Sequence, residues 1–257
     1  MSSPVDISLI LPAYNEAQRI LGTIEEFIAY LNSRNYSYEL IIAADGNDGT
    51  RELVREFGKA NGNVRVIGHA ERLGKGRGVR EAVAIARGRI IGYADADNKV
   101  PIDEFDKLAK PLREGYPVVI GSRALSRSAV EKKQPLYRQI GSKGFHIFMK
   151  TLIGLPGIHD TQCGFKFFTH DAAKRLFGAQ QIDGYMFDVE ILALAQVFGY
   201  PIAEVPIRWR DDGDSRLDLI SGNIKNVRDI FRLRMRLRRA AKNKSGVAIP
   251  SHMVTKG

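Results

Sequence analysis

Two carboxylates two residues apart, Asp95 and Asp97, follow the apolar run Arg89-Ile90-Ile91-Gly92-Tyr93-Ala94. In an extended backbone, residues i and i+2 share one face, so both side chains can grip one cation. Hard cations such as Mg²⁺ are held by one or two carboxylates together with substrate phosphates, and open α/β sheets bind ligands outside the carboxyl ends of their strands. Asp-Ala-Asp directly after a strand therefore suits a metal–diphosphate site. It equally suits helix capping, because Pro101 to Glu114 reads as a helix and Asp is a preferred N-cap.

Two cations stand in comparable places. Arg123 directly follows the strand-like run Val118-Val119-Ile120-Gly121-Ser122, on the edge where ligands bind, although a surface ion pair would place it there too. Lys75 lies in the glycine-rich stretch Leu73-Gly74-Lys75-Gly76-Arg77-Gly78, where it could touch phosphates; a lone Gly-Lys-Gly is no Walker motif. Cys163 and the five histidines have no metal-ligand spacing and read as structural or surface groups.

The elements that must position these groups alternate. Ile7 to Leu11 predicts a strand ended by Pro12, and Ile20, Ile24, Phe27, Ile28 and Leu31 share one face of the helix after it. Tyr38 to Ala44 predicts a second strand, followed by a turn-rich loop and a helix from Arg51 to Phe57. Val64 to Gly68, the basic glycine loop and a helix from Val79 to Ala86 make a third unit, and the strand before Asp95 begins a fourth. Four β-α units in a row imply a parallel sheet with helices on both faces.

Further on, Ala124 to Pro135 is polar and aperiodic and reads as a loop, and a helix is expected from Leu136 to Ile153. Asp160 to Phe168 reads as a turn entering a strand, Asp171 to Phe177 and Met186 to Phe198 as helices, and Ile202 to Trp209 as one alternating strand. No linker, internal repeat or low-complexity tract divides the chain.

Its 257 residues are 44% hydrophobic and 26% charged, an ordinary globular composition. No run approaches the roughly 18 apolar residues that span a bilayer, and the first residues lack signal-peptide character, so a peripheral, cytoplasmic protein is expected. A single cysteine excludes an internal disulfide and any zinc cluster. Residues 221–244 hold nine Lys/Arg and one acid, thus +8 of the formal +10. On a helix from 220 to 244, Ile220, Ile224, Val227, Phe231 and Met235 form one stripe beside Lys225, Arg228, Arg232, Arg236 and Arg239. Such a helix can lie on an anionic membrane surface or dock on the body with a solvated basic face. Nucleic acid is not expected, because aromatic interleaving and recognised motifs are missing.

Several motifs occur in order: Pro12-Ala13-Tyr14-Asn15-Glu16, Asp48-Gly49-Thr50, Asp95-Ala96-Asp97, Gly121-Ser122-Arg123, Arg138 with Ser142, Asp160-Thr161-Gln162-Cys163-Gly164-Phe165, and Arg210 with Gly213, Ser215 and Arg216. In this the chain resembles the family 2 glycosyltransferases of GT-A fold, in particular the polyprenyl- or dolichyl-phosphate sugar synthases. The wording around Asp160 and Phe187-Asp188-Val189-Glu190 is most similar to the glucosyl-transferring branch. The resemblance covers about residues 6 to 217 and implies a GT-A domain over 1–217; charge and periodicity add a basic amphipathic helix over 218–245, and 246–257 is expected to be a flexible end.

It further implies that Pro12, Tyr14 and Glu16 frame a nucleotide sugar, and that Asp95, Ala96 and Asp97 place Mg²⁺ or Mn²⁺ on its diphosphate. Arg123, Arg138 and Ser142 would hold the polyprenyl phosphate, Arg210 and Arg216 would close over the phosphates, and Asp160 would orient or deprotonate the acceptor or merely cap its turn. Where the family has Asp-Asp after the second strand, this chain has Ala43-Ala44-Asp45, leaving Asp45 for the nucleobase. Lys99 stands where some mannosyl-transferring members have Gln. The expected reaction is inverting transfer of glucose from UDP-glucose, or mannose from GDP-mannose, to the lipid phosphate. Its rivals are a soluble acceptor, for which Asp160 would be an indispensable base, and a non-catalytic nucleotide-sugar- or nucleic-acid-binding module.

Overall fold

The computed structural model describes residues 5–125, 129–130, 154–210 and 221–245. The first half alternates as expected: β1 (Ile7–Tyr14), α1 (Ile20–Ser33), β2 (Tyr38–Asp45), α2 (Thr50–Ala60), β3 (Val64–Ile67), α3 (Lys75–Ile85) and β4 (Ile90–Ala94). A 3-10 turn (Ile102–Glu104), α4 (Phe105–Arg113), β5 (Val118–Ser122) and the two-residue β6 (Ala129–Val130) follow. The remainder comprises β7 (Phe165–Thr169), α5 (His170–Ala179), α6 (Phe187–Val197), β8 (Ile202–Pro206), β9 (Arg208–Trp209) and α7 (Ser221–Ser245).

Strand side chains divide with a period of two. Ile7, Leu9, Leu11, Leu40 and Ile42 enter one core with Ile24 and Phe27 of α1 and Leu108 of α4, whereas Ile10 and Ile41 enter the other with Val79 of α3 and Leu176 of α5. Both faces are covered, which explains the near-continuous apolar runs of β1 and β2.

Seven strands form one sheet in the order β3-β2-β1-β4-β7-β5-β8; β7 is antiparallel to both neighbours and the other pairs are parallel. The chain runs outward from β1 to β3 and then returns to β1's other side as β4. The order thus reverses between β1 and β4, where an open sheet leaves its ligand crevice. In register, Tyr14 lies beside Asp45, Ile10 beside Tyr93, and Ala94 beside Phe165. The carboxyl ends of β1, β2 and β4 and the start of β7 therefore meet at one edge. Gly92 is required inside β4, because a Cβ there would stand 2.1 Å from the Phe167 ring opposite.

Three expectations are corrected. The supposed basic loop is half helix: α3 already begins at Lys75, because Gly74 adopts φ 116 and Gly76 lets the first turn press on Phe187, whose Cβ would be 2.6 Å from any Cβ added there. The strand expected from Ile202 to Trp209 is broken after Pro206; Ile207 turns into the core, and β9 pairs with β6 in a separate two-stranded sheet. That places 129–130 of the expected loop in a strand; 126–128, 131–135 and the expected helix at 136–153 lie outside the described residues, as does 246–257.

The third correction concerns α7. It docks through Ile230 and Leu233, with Leu237 packed beside them, while Phe231 and Met235 of the expected stripe are 48% and 56% exposed. Ile220 lies outside the described residues. The rotation of the helix is set by Arg236, which pairs with the fully buried Glu190 of α6 and donates to the Ala179 carbonyl at 2.6 Å. Glu190 also accepts the Ile182 N–H at 2.7 Å, and a buried carboxylate so satisfied is costly to strip of its cation. Leu233→Ala should cost about 2–5 kcal/mol through the cavity it leaves, lowering the thermal midpoint by several degrees, whereas Phe231→Ala should shift stability by less than about 0.5 kcal/mol. Equal midpoints for the two variants would show that α7 is not docked by this face.

Candidate active site

Asp95 and Asp97 occupy the tight turn that leaves β4. The Asp95 N–H donates to the Gly164 carbonyl at 3.0 Å, its carbonyl accepts the Asn98 N–H at 3.2 Å, and Asn98 takes a left-handed φ of 55. Asp97 accepts the Lys99 N–H at 3.3 Å, and the buried Ala96 between them offers its carbonyl to the Thr23 hydroxyl at 3.0 Å. Neither aspartate caps a helix: the N-cap positions of the 3-10 turn and α4 are Pro101 and Glu104, neither with a side-chain cap. Burial, and then the charge of Asp95, raise the Asp97 pKa.

Each carboxylate faces an ammonium. Lys75 Nζ lies 2.5 Å from Asp95 Oδ1, and Lys99 Nζ lies 3.7 Å from Asp97 Oδ2. Among the described residues no group of three or more His, Cys, Asp or Glu could enclose a metal. Two carboxylates fit a cation that keeps its other positions for water and phosphate, as Mg²⁺ and Mn²⁺ sites on diphosphates do. Asp95 and Asp97 are the residues that could hold it.

Beneath Asp95 lies a buried polar cluster. Lys166, fully buried in β7, donates to the Cys163 carbonyl at 2.5 Å and pairs with Asp188 of α6, which also accepts the Tyr93 hydroxyl. Lys166 thereby holds the Cys163–Gly164 peptide against the Asp95 turn. Gly164 has no room for a side chain, since its Cβ would stand 2.1 Å from Asp95 Oδ2. Burial pushes the Cys163 thiol up to about 12, so it is inert. The sequence reading gave no role to Lys166, Gly164 or Asp188. A lysine between phenylalanines in Phe165-Lys166-Phe167-Phe168 and an aspartate in an apolar helix were the available signals.

Arg123 and Asp160 meet directly. Arg123 donates Nε at 2.7 Å and its backbone N–H at 3.0 Å to Oδ2, and Nη2 at 3.0 Å to Oδ1. Burial acts to raise the Asp160 pKa, but the Arg123 charge and these bonds outweigh it and hold it at about 2. Asp160 also caps its own turn by accepting the Gln162 N–H at 3.2 Å. The turn is anchored from β8 by Glu204, which accepts the His159 and Asp160 N–H groups at 3.0 and 2.8 Å. Trp209 lies between the two halves of the edge, with Arg123 5.6 Å and Lys99 5.9 Å from its ring centroid. The Arg210 N–H donates to the Lys99 carbonyl at 2.8 Å, tying β9 to the aspartate turn.

On the other flank, Pro12 lies near the end of β1 and Tyr14 ends it, half-exposed, with Arg72 4.3 Å from its ring centroid. The Glu16 carboxylate pairs with Arg19 at 2.7 Å, and its N–H donates to Thr50 Oγ1 at 3.0 Å. Asp48 accepts the Ala17 and Thr50 N–H groups, closing the first two strand-to-helix loops on each other. Asp45 is buried and accepts the His69 and Leu73 N–H groups at 3.1 and 2.8 Å, so it steers the loop that delivers Lys75. Arg138, Ser142 and Arg216 lie outside the described residues.

The model of a family described as glycosyl transferase family 2 matches residues 8–177. Among curated relatives, the dolichyl-phosphate beta-glucosyltransferases of Dictyostelium discoideum and Homo sapiens are 37% and 33% identical over 250 and 244 residues. These alignments cover 91% and 90% of this chain and 76% and 75% of the relatives. Mannosyl-3-phosphoglycerate synthase from Rubrobacter xylanophilus superposes with a TM-score of 0.67 at 16% identity, over 98% of this chain and 79% of its own. Glucosyl-3-phosphoglycerate synthase from Mycobacterium tuberculosis, in complex with Mn²⁺, UDP-glucose and phosphoglyceric acid, gives 0.64 at 22% identity, over 98% and 86%. These two show a shared GT-A fold.

Gly164→Ala should lower Mn²⁺ affinity about tenfold or more by displacing the Asp95 carboxylate, read by Mn²⁺ electron paramagnetic resonance; unchanged affinity would mean that Asp95 does not ligate in this position. For Asp160, a folded pKa of about 2 lies below the ordinary 3.8, so its contribution is complete above about pH 4 and is lost as pH falls towards 2. The lost stability is about 2 kcal/mol. Acid unfolding followed by circular dichroism should show this loss, and Asp160→Asn should abolish that part of the slope.

Proposed function

The chain belongs to glycosyl transferase family 2, and from that premise we propose that it transfers glucose from UDP-glucose to dolichyl phosphate, inverting the anomeric carbon. The observation that carries this reading is the shared activity of the curated relatives at 33–37% identity over nine-tenths of the chain. It favours glucose over mannose and a lipid phosphate over a soluble acceptor.

A lipid-phosphate oxygen forms the new bond to the anomeric carbon as the bond to UDP breaks and UDP departs with the electron pair. No proton need be removed, because a phosphomonoester is already anionic near neutral pH. The Asp160 carboxylate, held at about 2, is a poor general base, which agrees with such an acceptor and disfavours a sugar hydroxyl. In this reading Asp160 orients Arg123: a guanidinium has five N–H donors, so the pair leaves donors for the lipid phosphate, shared with Arg138 and Ser142. Asp95 and Asp97 would hold Mg²⁺ or Mn²⁺, which would supply electrostatic stabilisation to the leaving diphosphate. Pro12, Tyr14, Glu16 and Asp45 frame the nucleotide, and Arg210 and Arg216 close over the phosphates.

The outer face of α7 suits the membrane that holds the acceptor. Opposite its docked face, Phe231 and Met235 are exposed among Lys225, Arg228, Arg232 and Arg238, which are exposed too. Apolar side chains amid cations match an anionic lipid surface, and among the described residues no helix is long and apolar enough to cross a membrane. Docking and membrane contact thus use different faces of one helix.

With [¹⁴C]UDP-glucose, dolichyl phosphate and Mn²⁺, label should enter an organic-extractable product, disappear in EDTA, and fall at least about a hundredfold in Asp95→Asn or Asp97→Asn. Label from GDP-mannose instead would overturn the donor, and none from either would overturn the acceptor. Binding to phosphatidylserine vesicles should weaken about tenfold or more in Phe231→Glu/Met235→Glu; equal co-sedimentation of variant and native protein would sink the membrane face.

A further inference from the structure

Lys75 is unusual in where its charge is kept. It is the first residue of α3, a helix with no acid in its first turn, and a cation at a helix N-terminus is opposed by the macrodipole. The backbone cannot move it away. A Cβ on Gly74 would lie 2.3 Å from the Asp183 carbonyl, and one on Gly76 would lie 2.6 Å from the Phe187 side chain, so the turn is packed hard against the segment before α6. The side chain, largely buried, runs between aromatic rings, with Nζ 6.0 Å from the Tyr93 centroid and 5.8 Å from that of Phe187. It ends 2.5 Å from Asp95 Oδ1.

We propose that Lys75 is the built-in counter-cation of Asp95, holding that carboxylate until a diphosphate arrives, so that divalent metal binds weakly alone and tightly only together with the nucleotide. The inference rests on the donor-site reading above. A divalent ion held by Asp95 would compete with the Lys75 ammonium for the same carboxylate. Two like charges on one carboxylate repel strongly wherever water is partly excluded. Lys99 beside Asp97 adds to the opposition. With two carboxylates and two ammoniums, the turn is already neutral, and a metal alone finds little net attraction. A diphosphate would reverse the balance, because it carries enough negative charge to satisfy both Lys75 and the metal. A monophosphate that reaches only one of these partners cannot do so. Coupling of this kind is reciprocal, metal tightening nucleotide by the factor by which nucleotide tightens metal.

The test is Mn²⁺ binding by electron paramagnetic resonance on the full chain, with and without UDP or UMP, for the native protein, Lys75→Gln and Lys75→Arg, with circular dichroism as a check on folding. Native protein should bind Mn²⁺ weakly alone and much more tightly with UDP than with UMP. Lys75→Gln should bind Mn²⁺ alone about tenfold more tightly, and its enhancement by UDP should fall by a similar factor. Lys75→Arg, which keeps the charge, should retain weak binding of metal alone. Equal Mn²⁺ affinity of native protein and Lys75→Gln without nucleotide would overturn the counter-cation role. A failure of UDP to bind the native protein at any Mn²⁺ concentration would instead overturn the donor-site reading and the coupling with it.

Discussion

The buried Lys166–Asp188 pair is the constraint on which the edge of the sheet depends. Neither group can be hydrated, Lys166 being fully buried and Asp188 nearly so, and an isolated buried charge costs far more than a domain can spare. Each is satisfied only in one arrangement: β7 beside β4, α6 over both, and the Cys163 carbonyl turned toward the ammonium. Because Tyr93 donates to the same aspartate, the last residues of β4 are fixed as well, and Asp95 follows two residues later. The edge that carries the candidate site is thus located by a polar lock, while the apolar layers around it supply the bulk of the stability.

From this lock the charges alternate outward along the edge. Lys166 pairs with Asp188, whose field also reaches Lys75; Lys75 pairs with Asp95, which raises the pKa of Asp97, which faces Lys99. Such an array keeps a dense set of ionised groups near neutrality without a bound anion. It also means that each substitution is felt by the next group along, so effects of double variants here should not add.

Much of this was legible in the chain and some of it was not, for physical reasons. Strands buried on both faces carry apolar runs such as Ile7 to Leu11 and Leu40 to Ile42, and the helices between them keep a 3.6-residue period, so the alternating sheet could be read directly. Asp95 and Asp97 were legible because their spacing and their place after a strand are local facts. The start of α3 was missed because its glycines, poor helix formers in isolation, are chosen for close packing against Phe187 and Asp183, which are more than 100 residues away. On α7, apolar residues fall on two faces, and periodicity could not choose between Phe231 with Met235 and Ile230 with Leu233. The choice is made by Arg236 reaching Glu190, a contact across 46 residues. Lys166 and Gly164 likewise acquire meaning only through partners brought by the fold.

The two halves of the edge also differ in the cation each employs, and the difference suits the proposed roles. Arg123 engages Asp160 through two guanidinium nitrogens and its own N–H, a planar fork that cannot turn without breaking several bonds at once. That suits the proposed acceptor side, where a phosphomonoester would be met by a guanidinium of fixed direction. Lys75 and Lys99 are point charges on flexible stems, each facing one carboxylate, and an ammonium can exchange one anion for another with little loss of geometry. That suits the proposed donor side, where diphosphate and metal would enter and UDP would leave in every turnover. Trp209, with one cation of each kind near its ring, stands at the boundary between the fixed half and the exchanging one.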